Sequence, residues 1–570
     1  MDYKKIVYEN WLSSPKVSES DKTILKEMSK EEIDDAFFQN IAFGTGGMRG
    51  ILGPGTNRIN EFTIKRATIA LGQMLLAQYP DAKPRGVVIS HDNRHHSRDY
   101  AEQCADILNE MGINAFLFNS LRPTPELSFG VRYLKAIGGI MITASHNPKQ
   151  YNGYKLYDEK GCQLTPAKTQ PLLDLLDTLP GELEIEPVTA GKRGKTTILS
   201  GKVDDEYLQA VKSVQVNPNL NKKGFKIVYT PNHGASYENA MRVFKECGYE
   251  VYPVLKQCTH DPDFSQTLSP NPEMAESFIE PIKQAEEIHA DFVVMTDPDG
   301  DRCGVAYLSS KGTYERLTGN QSAALLIDYI FGERKKRGQL HSNGVMYDTI
   351  VTSDLGRKVA KYYGVGSESF LTGFKYIGDR IGHYEDLGQG PVFEFGYEES
   401  YGCLIGPFVR DKDGIQAILL YCEMALWYKL AGIPLDVAFE NLEKRFGYHD
   451  TITDSVFFEG SEGAKKMKSI MKRLHAHFPS RIGDLDVIRI EDYAKSERVD
   501  EAGRKTKLHL PKEEVIRCFF ADGSWAAIRP SGTEPKCKLY VEAVAKDGVG
   551  IHEKTIALSN LLKKSLGLAD

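Results

Sequence analysis

At 570 residues the chain exceeds what one hydrophobic core sustains, and about 100 to 200 residues per domain predicts three to five domains. A net charge of -7 leaves no basic surplus, which argues against a nucleic-acid partner, and no run reaches about 18 apolar residues, which argues against a membrane span. Nine cysteines stand singly with no C-x-x-C pair, and the start Met1-Asp2-Tyr3-Lys4-Lys5 runs into mixed polar sequence, so the expectation is a cytoplasmic protein without leader, zinc site or disulfide framework.

Residues 1–40 alternate charged and apolar positions at helical spacing and predict two helices packed on the main body. The next stretch, Phe43-Gly44-Thr45-Gly46-Gly47-Met48-Arg49-Gly50, is not a dinucleotide fingerprint. Arg49 stands where a third glycine is needed, and no clear strand leads into it. Such a loop either approaches a phosphate through its backbone N–H groups and the Arg49 guanidinium or is a plain flexible turn.

From residue 63 the chain alternates helix 63–78, strand 86–90, helix 97–111, strand 113–118, helix 125–134 and a strand ending before Ser145, which predicts a mostly parallel sheet. The order recurs at 225–296 and again at 344–395, and in each unit the last strand runs into a polar loop. These loops are Thr143-Ala144-Ser145-His146, Thr296-Asp297-Pro298-Asp299-Gly300-Asp301-Arg302, and Gly396-Tyr397-Glu398-Glu399-Ser400. After Gly432 the pattern breaks, and a hairpin at Ala521-Asp522-Gly523-Ser524 points to a fourth, α+β domain. The fold class expected is therefore α/β: three similar mixed-sheet βαβ-type domains at 1–205, 206–320 and 321–447, plus a C-terminal α+β domain at 448–570, around a central cleft.

Ser145 follows the short apolar run Ala136-Ile137-Gly138-Gly139-Ile140-Met141-Ile142, whose two glycines mark a buried strand against which another backbone packs closely. A hydroxyl at the carboxyl end of such a strand lies where open α/β sheets bind ligands. On the hexapeptide alone, a reactive serine and a capping turn are equally good readings.

Asp297, Asp299 and Asp301 put three carboxylates on one tight turn, which needs a cation, and hard oxygen ligands suit Mg²⁺ or Ca²⁺. An EF-hand is ruled out by Arg302 at its sixth position and Leu308 at its twelfth. Arg529, Ser531, Gly532 and Thr533 join a guanidinium, two hydroxyls and a glycine-permitted turn, a set that suits a phosphate dianion, and Glu398 with Ser400 suits two neighbouring sugar hydroxyls.

Together these motifs resemble the α-D-phosphohexomutase superfamily, most closely its phosphoglucomutase and phosphopentomutase branch. Thr-Ala-Ser-His-Asn-Pro at 143–148 is similar to the family's phosphoserine loop and Asp-Pro-Asp-Gly-Asp-Arg at 297–302 to its Mg²⁺ loop. Gly-Tyr-Glu-Glu-Ser at 396–400 is similar to its sugar loop and Arg-Pro-Ser-Gly-Thr-Glu-Pro at 529–535 to its phosphate loop. All four occur in family order. The resemblance implies that Ser145 carries a phosphoryl group and, with Asp297, Asp299 and Asp301, ligates Mg²⁺. It implies interconversion of glucose 1-phosphate and glucose 6-phosphate, with glucose 1,6-bisphosphate as activator and intermediate and sugar phosphates as the only partners.

Lys155, in an Asn-Gly-Tyr-Lys context similar to the family's Asn-Gly-Phe-Lys, is the first choice of general base, on the argument that flanking cations depress its pKa. His146 and Lys412 are the alternatives, Lys412 being equally readable as a surface lysine. Arg49 and Arg302 are expected near the transferring group, Thr45 on the substrate, and Thr372, Gly373 and Lys375 in a loop similar to one that helps select the sugar. One departure stands out: Tyr397 replaces the glycine many relatives carry before Glu398.

Overall fold

The computed structural model describes residues 3–44, 47–189, 191–458, 460–530 and 536–568. The chain divides into two compact units, Met1–Gly319 with Phe374–Gly432, and Asn320–Gly373 with Ile433–Asp570.

The first unit opens with three helices, Tyr3–Ser13, Glu19–Glu27 and Lys30–Phe37, where sequence periodicity predicts two. The extra break falls at Met28 and Ser29, both extended; the Ser29 side chain accepts from the Glu32 N–H while Glu32 reaches back, a capping box that restarts the helix. Trp11, Leu25, Phe37 and Phe62 gather beneath these helices, the Trp11 and Phe62 rings meeting edge to face at 5.2 Å.

Behind them lies a seven-stranded sheet in the order Phe43–Gly44, Gly47–Ile51, Tyr151–Asp158, Gly138–Ile142, Val87–His91, Ala115–Phe118 and Thr196–Leu199. The last four strands are mutually parallel and the first three join antiparallel. Two features correct the sequence reading. The glycine-rich stretch expected to be a loop forms a strand over Gly47–Ile51, second from the edge, and the chain after Pro148, where the sequence pattern marks no strand, forms an inner strand over Tyr151–Asp158. This strand needs its first glycine, since a Cβ at Gly47 would meet the Tyr154 carbonyl oxygen at 2.2 Å. The close backbone approach expected at the serine strand is present too: a Cβ at Gly138 would lie 2.7 Å from the Tyr157 carbonyl oxygen.

A second sheet in this unit runs Tyr314–Leu317, Cys303–Leu308, Phe292–Thr296, Lys226–Thr230 and Glu250–Pro253. Phe292–Thr296 lies parallel to Lys226–Thr230 and antiparallel to Cys303–Leu308, with Thr296 opposite Cys303, so the acidic stretch is the turn of a hairpin and Gly300 takes its positive φ of 67°. The antiparallel pair Val392–Tyr397 and Cys403–Leu404 leads to the helix Gly414–Leu430, whose N-cap Asp413 accepts from the N–H groups of Ile415 and Gln416.

In the second unit Gly344–Thr349 and Gly366–Phe370 pair in parallel. Its larger part is an eight-stranded antiparallel sheet, with the hairpin Ile516–Phe520 to Trp525–Pro530 turning where the sequence marks it. The helices Gly460–Ala476 and Ile551–Ser565 supply Met467, Ile470, Leu558 and Leu562 to one core with Ile516, Ile528 and Leu539 of that sheet, the α+β arrangement expected. Among the described residues no single helix is long and apolar enough to cross a membrane.

Candidate active site

Ser145 lies three residues beyond the strand Gly138–Ile142, 3% exposed, with φ of 52°. A left-handed backbone at a non-glycine residue is uncommon and costs about 1–3 kcal/mol unless its surroundings enforce it. Here the loop turns back so that the hydroxyl donates to Asp297 Oδ2 at 2.8 Å and lies 3.2 Å from His146 Nδ1. Burial and the cations Arg302 and Arg49 push the His146 pKa well down, so the ring beside the serine is neutral. Arg49, exposed in the middle of the strand Gly47–Ile51, donates from Nη1 to Asn147 Oδ1 at 2.9 Å.

Asp297, Asp299 and Asp301 are buried and present ligand oxygens all within 4.8 Å of one another, the one such cluster among the described residues. Asp297 Oδ1 is fixed by the backbone N–H groups of Asp301 and Arg302 at 3.1 and 3.0 Å. One oxygen each of Asp299 and Asp301 is buried without a hydrogen-bond partner. Two orphaned carboxylate oxygens beside a third carboxylate and a hydroxyl are a donor set for a hard divalent cation. Burial and the charges of Asp299 and Asp301 raise the Asp297 pKa well above the usual range. Burial opposes ionisation of Asp299 as well, yet the Lys155 ammonium outweighs it and holds that carboxyl below its ordinary value.

Lys155, on the inner strand Tyr151–Asp158, reaches Asp299 Oδ2 at 2.7 Å and Asp301 Oδ2 at 3.5 Å. This corrects the expectation of a depressed pKa. Burial does press it down, but Asp299 and Asp301 prevail and raise it. Lys412 is buried rather than on the surface, 3.2 Å from Asp301 Oδ2, 3.1 Å from Asp411 Oδ1 and 4.0 Å from Glu398 Oε2. It thereby links the acidic turn to the proposed sugar loop, where Glu398 is buried and Ser400 half-buried. Tyr397, the departure from the family pattern, is fully buried at the end of its strand. Arg302 reaches Glu273 at 2.9 Å and keeps its Nε within 4.0 Å of Asp297 and 3.9 Å of Asp301.

The structure thus brings Ser145, His146, Lys155, Asp297, Asp299, Asp301, Arg302, Glu398 and Lys412 into one linked cluster within the first unit. Lys375 is buried at the start of the helix Lys375–Leu387 in the same unit. Thr372 and Gly373, just before it in sequence, belong to the second unit, as does Arg529, which donates to Glu513 Oε1 at 2.8 Å. Thr45, Ser531, Gly532 and Thr533 lie outside the described residues.

Sequence reasoning overlooked several residues that the site uses. Thr124 donates through its N–H to the Asp299 carbonyl at 2.8 Å and through its hydroxyl to Asp299 Oδ2 at 3.0 Å. Asp411 is oriented by the Tyr157 hydroxyl at 2.8 Å before it meets Lys412. Asp92 and Arg94 follow the strand Val87–His91, whose His91 is in register with Ile142 of the neighbouring parallel strand. Strands that end side by side bring their following loops together, and that signal was available once both were recognised as parallel.

Comparison with known proteins agrees with this geometry. Four family descriptions match in order: phosphoglucomutase/phosphomannomutase alpha/beta/alpha domain I at residues 40–180, domain II at 205–309, domain III at 318–445 and the C-terminal domain at 485–550. A phosphoglucomutase of Staphylococcus epidermidis (strain ATCC 12228) is 36% identical over 524 residues, covering 91% of this chain and 94% of the relative. One from Staphylococcus aureus (strain MRSA252) is 35% identical over 540 residues, covering 94% and 96%. In fold, the chain is similar to the open form of the phosphoglucomutase parafusin from Paramecium, with TM-score 0.69 at 19% identity, covering 93% of this chain and 95% of that one. It is likewise similar to a phosphoglucomutase/phosphomannomutase family protein from Burkholderia thailandensis, with TM-score 0.65 at 18% identity, covering 93% and 98%. Since the family regions run in order along the chain and the curated relatives align over more than nine-tenths of it, the protein belongs to the phosphoglucomutase/phosphomannomutase family and is a phosphohexomutase, an isomerase.

Proposed function

We propose that the protein is a phosphoglucomutase that interconverts glucose 1-phosphate and glucose 6-phosphate through phospho-Ser145. The observation that carries this reading is the Ser145 hydroxyl, buried 2.8 Å from an acidic triad and joined through it to Lys155 and Lys412. Ser145 gives its phosphoryl group to the free hydroxyl of the bound sugar phosphate. The resulting glucose 1,6-bisphosphate reorients and returns its other phosphoryl group to the serine. Phosphoryl transfer rests on alignment and charge neutralisation. Asp297, Asp299, Asp301 and Ser145 fit Mg²⁺, which when bound neutralises charge on the transferring oxygens.

Lys155, Arg302 and Arg49 supply cationic charge at the same point. Lys155, held as a cation, is the acid toward a leaving oxygen and in the reverse direction the base; neutral His146, beside the serine, is the other proton carrier. Glu398, Ser400 and Lys412 hold the sugar, with Thr372, Gly373 and Lys375 shaping its selection. Arg529, Ser531, Gly532 and Thr533 are suited to the phosphate that is not transferred, and Thr45 to the substrate. The order of the family regions supports a division into domains near 205, 320 and 447.

Replacing Ser145 with Ala should abolish turnover while leaving the circular dichroism spectrum and melting temperature near those of the parent; near-full activity in that variant would refute the assignment. A second reading, a relaxed enzyme that also takes mannose phosphates, is favoured by the family description, which names both activities. Turnover measured side by side on glucose, mannose and ribose 1-phosphates separates the two, and a preference for the ribose ester would point instead to a phosphopentomutase.

A further inference from the structure

We infer that Arg94 is a positioning residue for phosphoryl transfer, holding the Ser145 backbone in the one conformation that aims its hydroxyl at the acidic triad. This rests on the reading of Ser145 as the phosphoryl carrier. The Arg94 side chain is fully buried and its guanidinium spans four carbonyl oxygens of the serine loop. Nη2 donates to Ser145 O at 2.7 Å and Asn147 O at 2.5 Å, and Nη1 donates to Pro148 O at 2.8 Å and Tyr151 O at 2.9 Å. The three before Tyr151 lie in a loop outside any strand; Pro148 O also accepts from the Tyr151 N–H at 3.1 Å, and the hydrogen bond to Ser145 O is buried, where an unpaired carbonyl is costly.

The other backbone group of Ser145 is held by the same network. Its N–H donates to Thr143 Oγ1 at 2.8 Å, and the Thr143 hydroxyl donates to Asp92 Oδ2 at 2.6 Å. Asp92 closes the circuit: Oδ2 lies 3.2 Å from Arg94 Nε, and Oδ1 accepts from the Arg94 N–H at 2.9 Å. Both the N–H and the C=O of the left-handed residue are therefore fixed from the loop after the neighbouring strand. The segment after the strand Glu250–Pro253 adds a cover, with the Phe264 ring 5.1 Å from the Arg94 guanidinium and the Asp261 carbonyl taking a hydrogen bond from Asn93 at 2.8 Å. The charge of Arg94 interacts directly with Asp299 and Asp297, but lysine at this position keeps that charge, so what Arg94→Lys removes is the hold on the backbone.

A misplacement of about 1 Å at a reacting atom costs on the order of 100-fold in rate. Lysine keeps the charge of Arg94 but offers three donors at one point instead of a planar fork, so it cannot serve four carbonyls. The test is turnover of Arg94→Lys and Thr143→Val on glucose 1-phosphate. Rates are divided by the fraction of chains that take up a phosphoryl group from glucose 1,6-bisphosphate, read by intact mass. The expected result is a per-site kcat lower by about 10- to 100-fold in both variants, with KM within about threefold of the parent. A purely structural role would lower the phosphorylatable fraction and leave per-site kcat unchanged, and that outcome overturns the inference. So does a KM that rises in step with the loss of kcat. Should Arg94→Lys not fold, Thr143→Val alone decides, since it cuts the same circuit at a smaller side chain. A parent-like Ser145→Ala enzyme would sink the phosphoserine reading itself, whereas an inactive Ser145→Ala beside a parent-like Arg94→Lys would sink only the role of Arg94.

Discussion

Ser145 combines a reactive hydroxyl with a backbone angle that most side chains avoid, and the two can be separated by substitution. Threonine retains the hydroxyl but adds a β-branch, which stiffens χ1 and makes a positive φ a genuine outlier. Ser145→Thr is therefore expected to keep a nucleophile and still lose about 10-fold or more in kcat, equivalent to about 1–2 kcal/mol of strain. Steady-state kinetics with a melting curve check it; a rate within about twofold of the parent would mean that the left-handed angle is not what aims the oxygen. At this scale the site was only half legible. Serine, the three aspartates and Lys155 announce themselves because hydroxyl, clustered acids and a lysine in a motif are chemistry-bearing types. Arg94 does not, because Asp92-Asn93-Arg94 reads as an ordinary polar turn until the register of two parallel strands sets it beneath the serine.

At the level of single elements, strands with apolar composition were readable, whereas the inner strand Tyr151–Asp158, with its polar residues, was not. Phe292–Thr296 was legible to the residue, being apolar almost throughout and bounded by Asp291 and Asp297. Tyr151–Asp158 escaped notice because Asn152 and Lys155 look solvent-facing, yet both are buried by partners distant in sequence. Asn152 donates to His95 O and Ser97 Oγ, each at 3.0 Å, and Lys155 to Asp299, 144 residues away. Periodicity reports local amphipathicity and is blind to such pairings.

The helix Gly414–Leu430 offers a test of a buried cap. Asp413 is fully buried, accepts from the Tyr207 hydroxyl at 2.9 Å as well as from the helix N–H groups, and burial pushes its pKa up to about 6. A carboxyl whose folded pKa exceeds its unfolded value near 4 favours the folded state while protonated. That contribution is full below about pH 4 and is lost as pH rises through about 6. Asn at this position still caps and does not titrate. The stability of Asp413→Asn relative to the parent should thus rise between about pH 4 and 7, by on the order of 3 kcal/mol. Urea unfolding across that range checks it; parallel pH profiles would mean that burial does not raise the Asp413 pKa.

For the whole molecule the decisive quantity is the charge stored in the acidic turn. Three buried carboxylates with two orphaned oxygens are a standing cost in the metal-free protein, offset only in part by Lys155, Lys412 and Arg302. A cation that binds the folded chain and not the unfolded one repays that cost by mass action, about 2.7 kcal/mol when its free concentration is about 100 times its dissociation constant. Adding Mg²⁺ to chelator-treated protein should therefore raise the melting temperature, with the rise growing as the logarithm of concentration once the site is filled. Hydrogen exchange should slow chiefly in the strands Phe292–Thr296 and Cys303–Leu308 that frame the turn, and less in the sheet of the second unit. Asp297→Asn removes one ligand charge and should weaken the response, even though the variant, relieved of part of its repulsion, melts no lower than the parent without metal. An equal Mg²⁺ response in parent and variant would mean that the ion stabilises the chain from somewhere other than the triad, and the electrostatic account of this turn would have to be abandoned.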